Sequence, residues 1–189
     1  MTRAGLQRRI GCGIALLALT AALPSRAAVD AEQILRDVAA AASSEVRFTE
    51  VRTSRLLKTP LASSGVLRYG PAGRLQKDTL QPFRETVVID GLQVTIERDG
   101  AQTVVPLVAG STPAILVQAL RAVLGGQVQE LQAHYRIAAE GSPDNWSLDL
   151  QPKAEDSPVR LRLTGSGGDV RDIEVRGSGG DRVVTTLSR

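Results

Sequence analysis

Two hydrophobic periods alternate along this chain. Residues 10–23 are almost continuously apolar, interrupted only by glycines and Thr20. Further on, Ile34, Leu35, Val38, Ala41 and Ala42 recur at helical spacing. Asp30, Ala31, Glu32 and Gln33 ahead of them read as a capping box, with Asp30 as the cap and Gln33 reaching back. The spacing predicts an amphipathic helix of about four turns that stops at Ser43 and Ser44. The period then drops to two. Strands are predicted at 46–51, 65–69 and 85–89, the last running into an Asp90-Gly91 hairpin turn. On the return, Leu92, Val94 and Ile96 alternate with Gln93, Thr95 and Glu97. Asp99-Gly100 makes another turn, and Thr103, Val104 and Val105 lead to Pro106, where pairing should stop.

A second helix is marked at both ends. Thr112 reads as its cap, Pro113 as its first position and Gly125-Gly126 as its stop. Between them Ile115, Leu116, Ala119, Leu120, Val123 and Leu124 form one stripe, and a shorter helical turn follows through Val128 and Leu131. From Tyr135 on, everything reads as strand and turn. Trp146, Leu148 and Leu150 alternate with polar residues, as do Val159, Leu161 and Leu163. The pentapeptide Gly-Ser-Gly-Gly-Asp occurs twice, at 165–169 and 177–181, and frames the strands of an antiparallel meander. A calcium-binding glycine repeat would need a nonapeptide period over several turns, which is absent. The predicted fold is α+β, mainly β, with about eight to ten antiparallel strands. So large a sheet curls, and both helices have an apolar stripe to bury. A curved antiparallel sheet or incomplete half β-barrel, lidded by the N-terminal and central α-helices, satisfies both needs.

The first residues change the composition of the rest. Arg3, Arg8 and Arg9 form a basic start without acids, the apolar run follows, and Ser25-Arg26-Ala27 puts small residues where a signal peptidase reads. This order predicts a secretory signal over 1–27, cleaved near Ala27/Ala28, and one domain over 28–189. The alternative, an uncleaved anchor, is disfavoured because the run is shorter than the roughly 20 residues needed to span a bilayer. Arg3, Arg8, Arg9 and Arg26 would leave with the signal, and the net charge would fall from +3 to −1. Nothing then points to nucleic acid. Cys12, the only cysteine, would leave as well. A disulfide scaffold or a thiolate nucleophile is thereby excluded, and no lipid anchor would tie the chain to a membrane. A bacterial periplasmic protein is expected, as a monomer.

Catalytic constellations are missing. His134 is the only histidine, so a His-based zinc site has no second ligand of its kind. Ser166 and Ser178 lie in turns, without a Gly-x-Ser-x-Gly elbow or a base nearby in sequence. Asn145-Trp146-Ser147 matches a glycosylation sequon, but reads better as a turn entering a strand. No enzyme activity, cofactor or metal is expected.

Several motifs resemble one family. Gly65-Val66-Leu67-Arg68-Tyr69-Gly70-Pro71, a second strand ending at Gln81-Pro82 and the Val88-Ile89-Asp90-Gly91 hairpin are similar, in order and spacing, to the LolA-type outer-membrane lipoprotein carriers. Phe48-Thr49-Glu50 stands where that family has Phe-Thr-Gln. Thr112-Pro113 and the helix behind it resemble the central lid helix, and Trp146 to Lys153 resembles a later strand closing on Leu-x-Pro-Lys. The resemblance implies an unclosed barrel with helical lids, which shields acyl chains between an inner-membrane exporter and an outer-membrane acceptor. The acylated lipoprotein or lipid cargo would lie in an apolar cavity formed by Leu35, Val38, Phe48, Leu67, Leu75, Val88, Ile96, Ile115, Leu116, Leu120, Val123, Trp146 and Leu148.

The chain departs from the family in three ways. The family arginine that precedes the bend proline and pins the lid is absent, leaving Arg74, three residues after Pro71, as the candidate latch. Aromatic residues are few: Phe48, Tyr69, Phe83, Tyr135 and Trp146. The family's last C-terminal strand is not expected after Arg189. A non-lipoprotein lipid or a polyene pigment, handled with an RND-type exporter, is the alternative cargo. An envelope-sensing lipid-binding module is the alternative role. The same Leu, Val and Ile residues could also fill a solid core.

Overall fold

The computed structural model describes residues 29–154 and 157–189, so the expected signal at 1–27 lies outside the described residues. Helix α1 (Ala31–Ala41) precedes six strands: β1 (Glu45–Thr53), β2 (Leu61–Tyr69), β3 (Leu75–Gln81), β4 (Glu85–Asp90), β5 (Gln93–Arg98) and β6 (Ala101–Pro106). Helices α2 (Thr112–Leu124) and α3 (Val128–His134) follow. The chain then returns to strand as β7 (Tyr135–Ser142), β8 (Asn145–Pro152), β9 (Arg160–Ser166), β10 (Asp169–Arg176) and β11 (Arg182–Ser188). The strands form one open antiparallel sheet of eleven, ordered β6-β5-β4-β3-β2-β1-β11-β10-β9-β8-β7. The chain is thus two meanders joined where the first strand pairs with the last. Both free edges, β6 and β7, come from the middle of the sequence, and α2 and α3 connect them.

Eleven strands exceed the expected number, and β3 is the strand that the alternation did not mark. Its sequence, Leu-Gln-Lys-Asp-Thr-Leu-Gln, does not alternate cleanly because Lys77 occupies an inward position. Three local expectations change as well. Helix α1 has about three turns at 3.6 residues each, and its Asp30 cap accepts a hydrogen bond from the Glu32 amide at 3.0 Å. Gln33 does not reach back; its amide donates to Asp37 Oδ1 at 2.8 Å, so the capping box is half made. The cap of α2 is Ser111, whose hydroxyl accepts from the Ala114 amide, and Thr112 is the first helical residue.

The two identical pentapeptides fold differently. At 165–169 the ladder continues to Ser166 opposite Asp169, leaving a two-residue turn at Gly167 and Gly168. There the Trp146 indole N–H donates to the Gly167 carbonyl at 2.8 Å. A Cβ on Gly168 would stand 2.4 Å from the Asp37 carbonyl oxygen, so only glycine lets α1 pack this closely. At 177–181 pairing stops at Arg176 opposite Arg182, and the five residues form a wider loop. Surroundings, not sequence, choose between the two.

The core is lopsided. Ile34, Leu35 and Val38 of α1 meet Ala119, Ala122 and Val123 of α2, and Val128 and Leu131 of α3. These pack on Tyr135, Trp146, Leu148, Leu150, Leu161 and Leu163, which all belong to β7, β8 and β9. Strands β2 to β6 contribute nothing to this cluster. The solid core therefore fills only the C-terminal half of the sheet.

On the convex face of that half, Arg182 and Arg176 both donate to the Glu174 carboxylate. Their hydrogen bonds, opposed by burial and helped by their charge, lower its pKa from 4.5 to about 2. A carboxyl lowered on folding contributes stability that is complete above about pH 4.5 and is lost as pH falls toward 2. Glu174→Gln should therefore be less stable than the parent at pH 7, and denaturation midpoints measured against pH should converge between 4.5 and 2. A gap independent of pH would contradict this assignment.

Candidate functional site

The N-terminal half of the concave face is not filled. Between it and the helices lies an open cavity of about 650 Å³, within the range of small-molecule sites. The period-2 pleat decides which residues reach it. Val46 of β1, Leu67 and Tyr69 of β2, Leu75 of β3, and Val87 and Ile89 of β4 form its sheet wall. Val38 of α1 and Val117, Leu120, Val123 and Leu124 of α2 form its roof. Leu163, Val170, Ile173 and Leu187 close the side toward the solid core. Among the described residues, Tyr69 is the only aromatic one in the lining.

A charged group interrupts the central apolar row of this floor. Lys77 occupies the row Val46, Leu67, Lys77, Val87 across four paired strands. Its ammonium passes 4.8 Å from the centre of the Phe48 ring and donates to Glu50 Oε2 at 2.6 Å. Glu50 also accepts from the Thr185 hydroxyl at 3.1 Å. Half-buried charges persist only when paired and hydrogen-bonded in this way. The cluster is neutral as a unit and ties β1, β3 and β11 together beneath the cavity.

Beyond its packing in the core, helix α2 is tied by polar contacts at two points. On the core side, the buried Tyr135 hydroxyl donates to the Ile115 carbonyl at 2.5 Å, and burial raises the phenol pKa to about 12. On the other side, Arg121 reaches the sheet. Its Nε donates to the Gly73 carbonyl at 2.7 Å, Nη1 to the Gly91 carbonyl at 3.0 Å and Nη2 to the Ile89 carbonyl at 3.4 Å. Gly73 lies in the bend between β2 and β3, and Gly91 in the turn between β4 and β5. Such bends leave carbonyls outside the ladder, and the rigid fork of a guanidinium can take several at once.

Arg74 does not make this contact. It lies 3.9 Å from Asp90 and is half exposed, with no hydrogen bond to α2 among the described residues. The tether therefore runs from helix to barrel, and no local pattern marks it, since Arg121 lies in sequence as an ordinary polar residue between stripe positions.

The other expected cavity residues separate. Val38, Leu67, Leu75, Leu120 and Val123 line the cavity. Leu35, Trp146 and Leu148 are almost wholly buried in the packed core, and Leu116 packs against it; Phe48 is equally buried but lies outside that core, against Gly65 and Lys77. Val88 pairs with Gln76 and Thr95 and faces the convex side, because the pleat turns Val87 and Ile89 inward instead. Ile96 pairs with Val87 and shares its face, one strand nearer the free edge and outside the lining. Ile115 lines a second groove of about 600 Å³ on the far side of α2, with Leu92, Leu107 and Tyr135. Among the described residues no group of three or more His, Cys, Asp or Glu could hold a metal. No helix among them is long and apolar enough to cross a membrane.

A family model described as outer membrane lipoprotein carrier protein LolA-like matches residues 21–189. The outer-membrane lipoprotein carrier protein of Dechloromonas aromatica (strain RCB) is 30% identical over 151 residues, which cover 77% of this chain and 69% of that protein. Among solved structures, a LolA superfamily protein from Nitrosomonas europaea is 11% identical, covering 86% of this chain and 93% of its own, with a TM-score of 0.46. The MucA/MucB complex of Pseudomonas aeruginosa contains a chain that is 16% identical, covering 85% of this chain and 56% of its own, also with a TM-score of 0.46.

The tether can be tested directly. Arg121→Met keeps the length of the side chain but removes three hydrogen bonds from a charged donor, a loss of about 1.5–3 kcal/mol if one bond dominates. Amide hydrogen exchange in residues 117–124 should accelerate in this variant and stay at the parent rate in Arg74→Met. Equal exchange in both variants would show that Arg121 does not hold the helix.

Proposed function

We propose that this chain, which belongs to the outer-membrane lipoprotein carrier, LolA-like family, is a periplasmic carrier that shields the acyl chains of a lipoprotein or lipid. Residues 1–27 would direct export and be removed, and 28–189 would act as one carrier domain between an inner-membrane exporter and an outer-membrane acceptor. The observation that carries this reading is the unfilled cavity of about 650 Å³ on the same concave face whose other half is solidly packed. Each methylene withdrawn from water is worth about 0.8 kcal/mol, so a long chain gains on the order of 10 kcal/mol without any chemistry. The aliphatic lining suits a flexible chain, since Leu, Val and Ile adapt to it more readily than a stacked aromatic wall does. Release needs an opening, and α2 supplies one. Its core side is fixed by a buried phenol, whereas its sheet side depends on Arg121 alone among the contacts described above.

Organic extraction of the purified protein followed by mass spectrometry should return an acylated lipid. A variant that fills the cavity, Leu67→Trp with Val87→Trp, should fold with the parent's circular dichroism but retain several-fold less of it. A polyene pigment in the extract would redirect the cargo. A parent protein that carries nothing, and takes up no lipid from vesicles, would sink the carrier reading.

A further inference from the structure

The charges around the cavity are unbalanced. Residues 28–189 carry a net charge of −1, yet the cavity is lined by Arg52, Arg68, Lys77, Arg171 and Arg189 against only Glu85 and Asp169. Most of these are neutralised. Arg68 pairs with Glu45 and Asp78, Lys77 with Glu50, Arg189 with Asp169, and Glu85 with Arg98 outside the lining. Arg52 and Arg171 remain, with no ion pair and no side-chain hydrogen bond among the described residues.

Their placement runs against the binary pattern of the strands. On β1 the inward positions are Val46, Phe48, Glu50 and Arg52, while Arg47 takes the outward, solvated side. On β10 the register shift between Val170 and Asp172 brings both Val170 and Arg171 to the lining. Both arginines are exposed at the rim of the cavity, where an anion held beside the apolar opening meets two unpaired positive charges and the salt-dependent attraction they exert. The planar fork of an arginine matches a carboxylate or phosphate with two parallel hydrogen bonds.

We propose that the cargo is an anionic amphiphile, whose chain fills the apolar cavity and whose carboxylate or phosphate is bound by one of the two unpaired arginines of the lining, Arg52 or Arg171, which stand two strands apart. This deepens the carrier reading and rests on it. A neutral diacylglyceryl group would use the apolar wall and leave both guanidiniums idle.

The test compares ligands that share a chain and differ in charge. The purified, delipidated protein is loaded with an apolar naphthylamine dye. The dye is then displaced by oleate, by a lysophosphatidic acid or by methyl oleate. At low salt the anionic ligands should displace it at about three- to tenfold lower concentration than the ester, and the difference should shrink in 1 M salt. Arg52→Gln combined with Arg171→Gln should abolish the preference while leaving methyl oleate unchanged, which also reports that the variant is folded. Arg136→Gln, on β7 and outside the cavity lining, should keep it. A preference for oleate alone assigns a carboxylate headgroup and one for the lysophosphatidic acid alone a phosphate; either supports the proposal. Equal displacement by the charged and uncharged ligands overturns it and leaves the carrier reading standing. A protein that binds neither dye nor any of the ligands overturns both.

Discussion

The pairing of β1 with β11 is the constraint on which the rest of the molecule depends. Seven registered positions, Arg47 to Thr53 opposite Ser188 to Arg182, join two meanders into one sheet. Because the first and last strands meet in its middle, the two free edges must come from the centre of the chain. An exposed edge invites pairing with another chain, and a sheet of this size curls. The segment that connects the edges has only the hollow of that curl to cross. Helices α2 and α3 therefore lie over the open side, and their position follows from topology before any side chain is considered.

Three short helices cannot fill the hollow of eleven strands evenly. Small residues settle which side they favour. Ala119 and Ala122 let α2 sit close to its neighbours, and Gly168 lets α1 approach the β9–β10 turn. Large side chains from β8 and β9 rise to meet them, and Trp146, Leu148, Leu150, Leu161 and Leu163 are nearly free of solvent. Contacts of the helices with the sheet concentrate on β7 and β10. Helix α2 then reaches the N-terminal strands through a long polar side chain instead of an apolar interface. That asymmetry separates a rigid half from a hollow one within a single domain. It also gives the roof of the cavity one firm side and one side held by polar contacts, which water can replace at lower cost than it can replace a packed core.

Much of the fold was legible in the chain. The helix at 112–124 is announced by proline at its start and glycines at its end. The turn at Asp99 and Gly100 has both residues at positive φ, the conformation that an Asp-Gly pair favours in a two-residue hairpin. Strand β3 is marked by the family resemblance but not by the alternation, because Lys77 stands where an apolar residue would keep the period and its partner Glu50 is 27 residues away. The functional residues were less legible. Period two gives two faces but does not say which is concave, so Val88 was selected although Val87 and Ile89 face inward. Arg121 makes its contacts 30 to 48 residues away in sequence, and no local pattern distinguishes it from a solvated arginine.

By itself, the sequence determined most of the elements, their order and the apolar face of many of them, because periodicity, caps and turn residues act over a few neighbouring positions. The tertiary structure alone decided which stretch of that face is packed and which is hollow. It also decided which of the two Gly-Ser-Gly-Gly-Asp segments is a tight turn and which arginine ties the helix to the sheet. Each of those outcomes depends on how far the helices lean across the curved sheet. That lean is set by close approaches between residues distant in the chain, such as Gly168 to Asp37, and no local pattern encodes it.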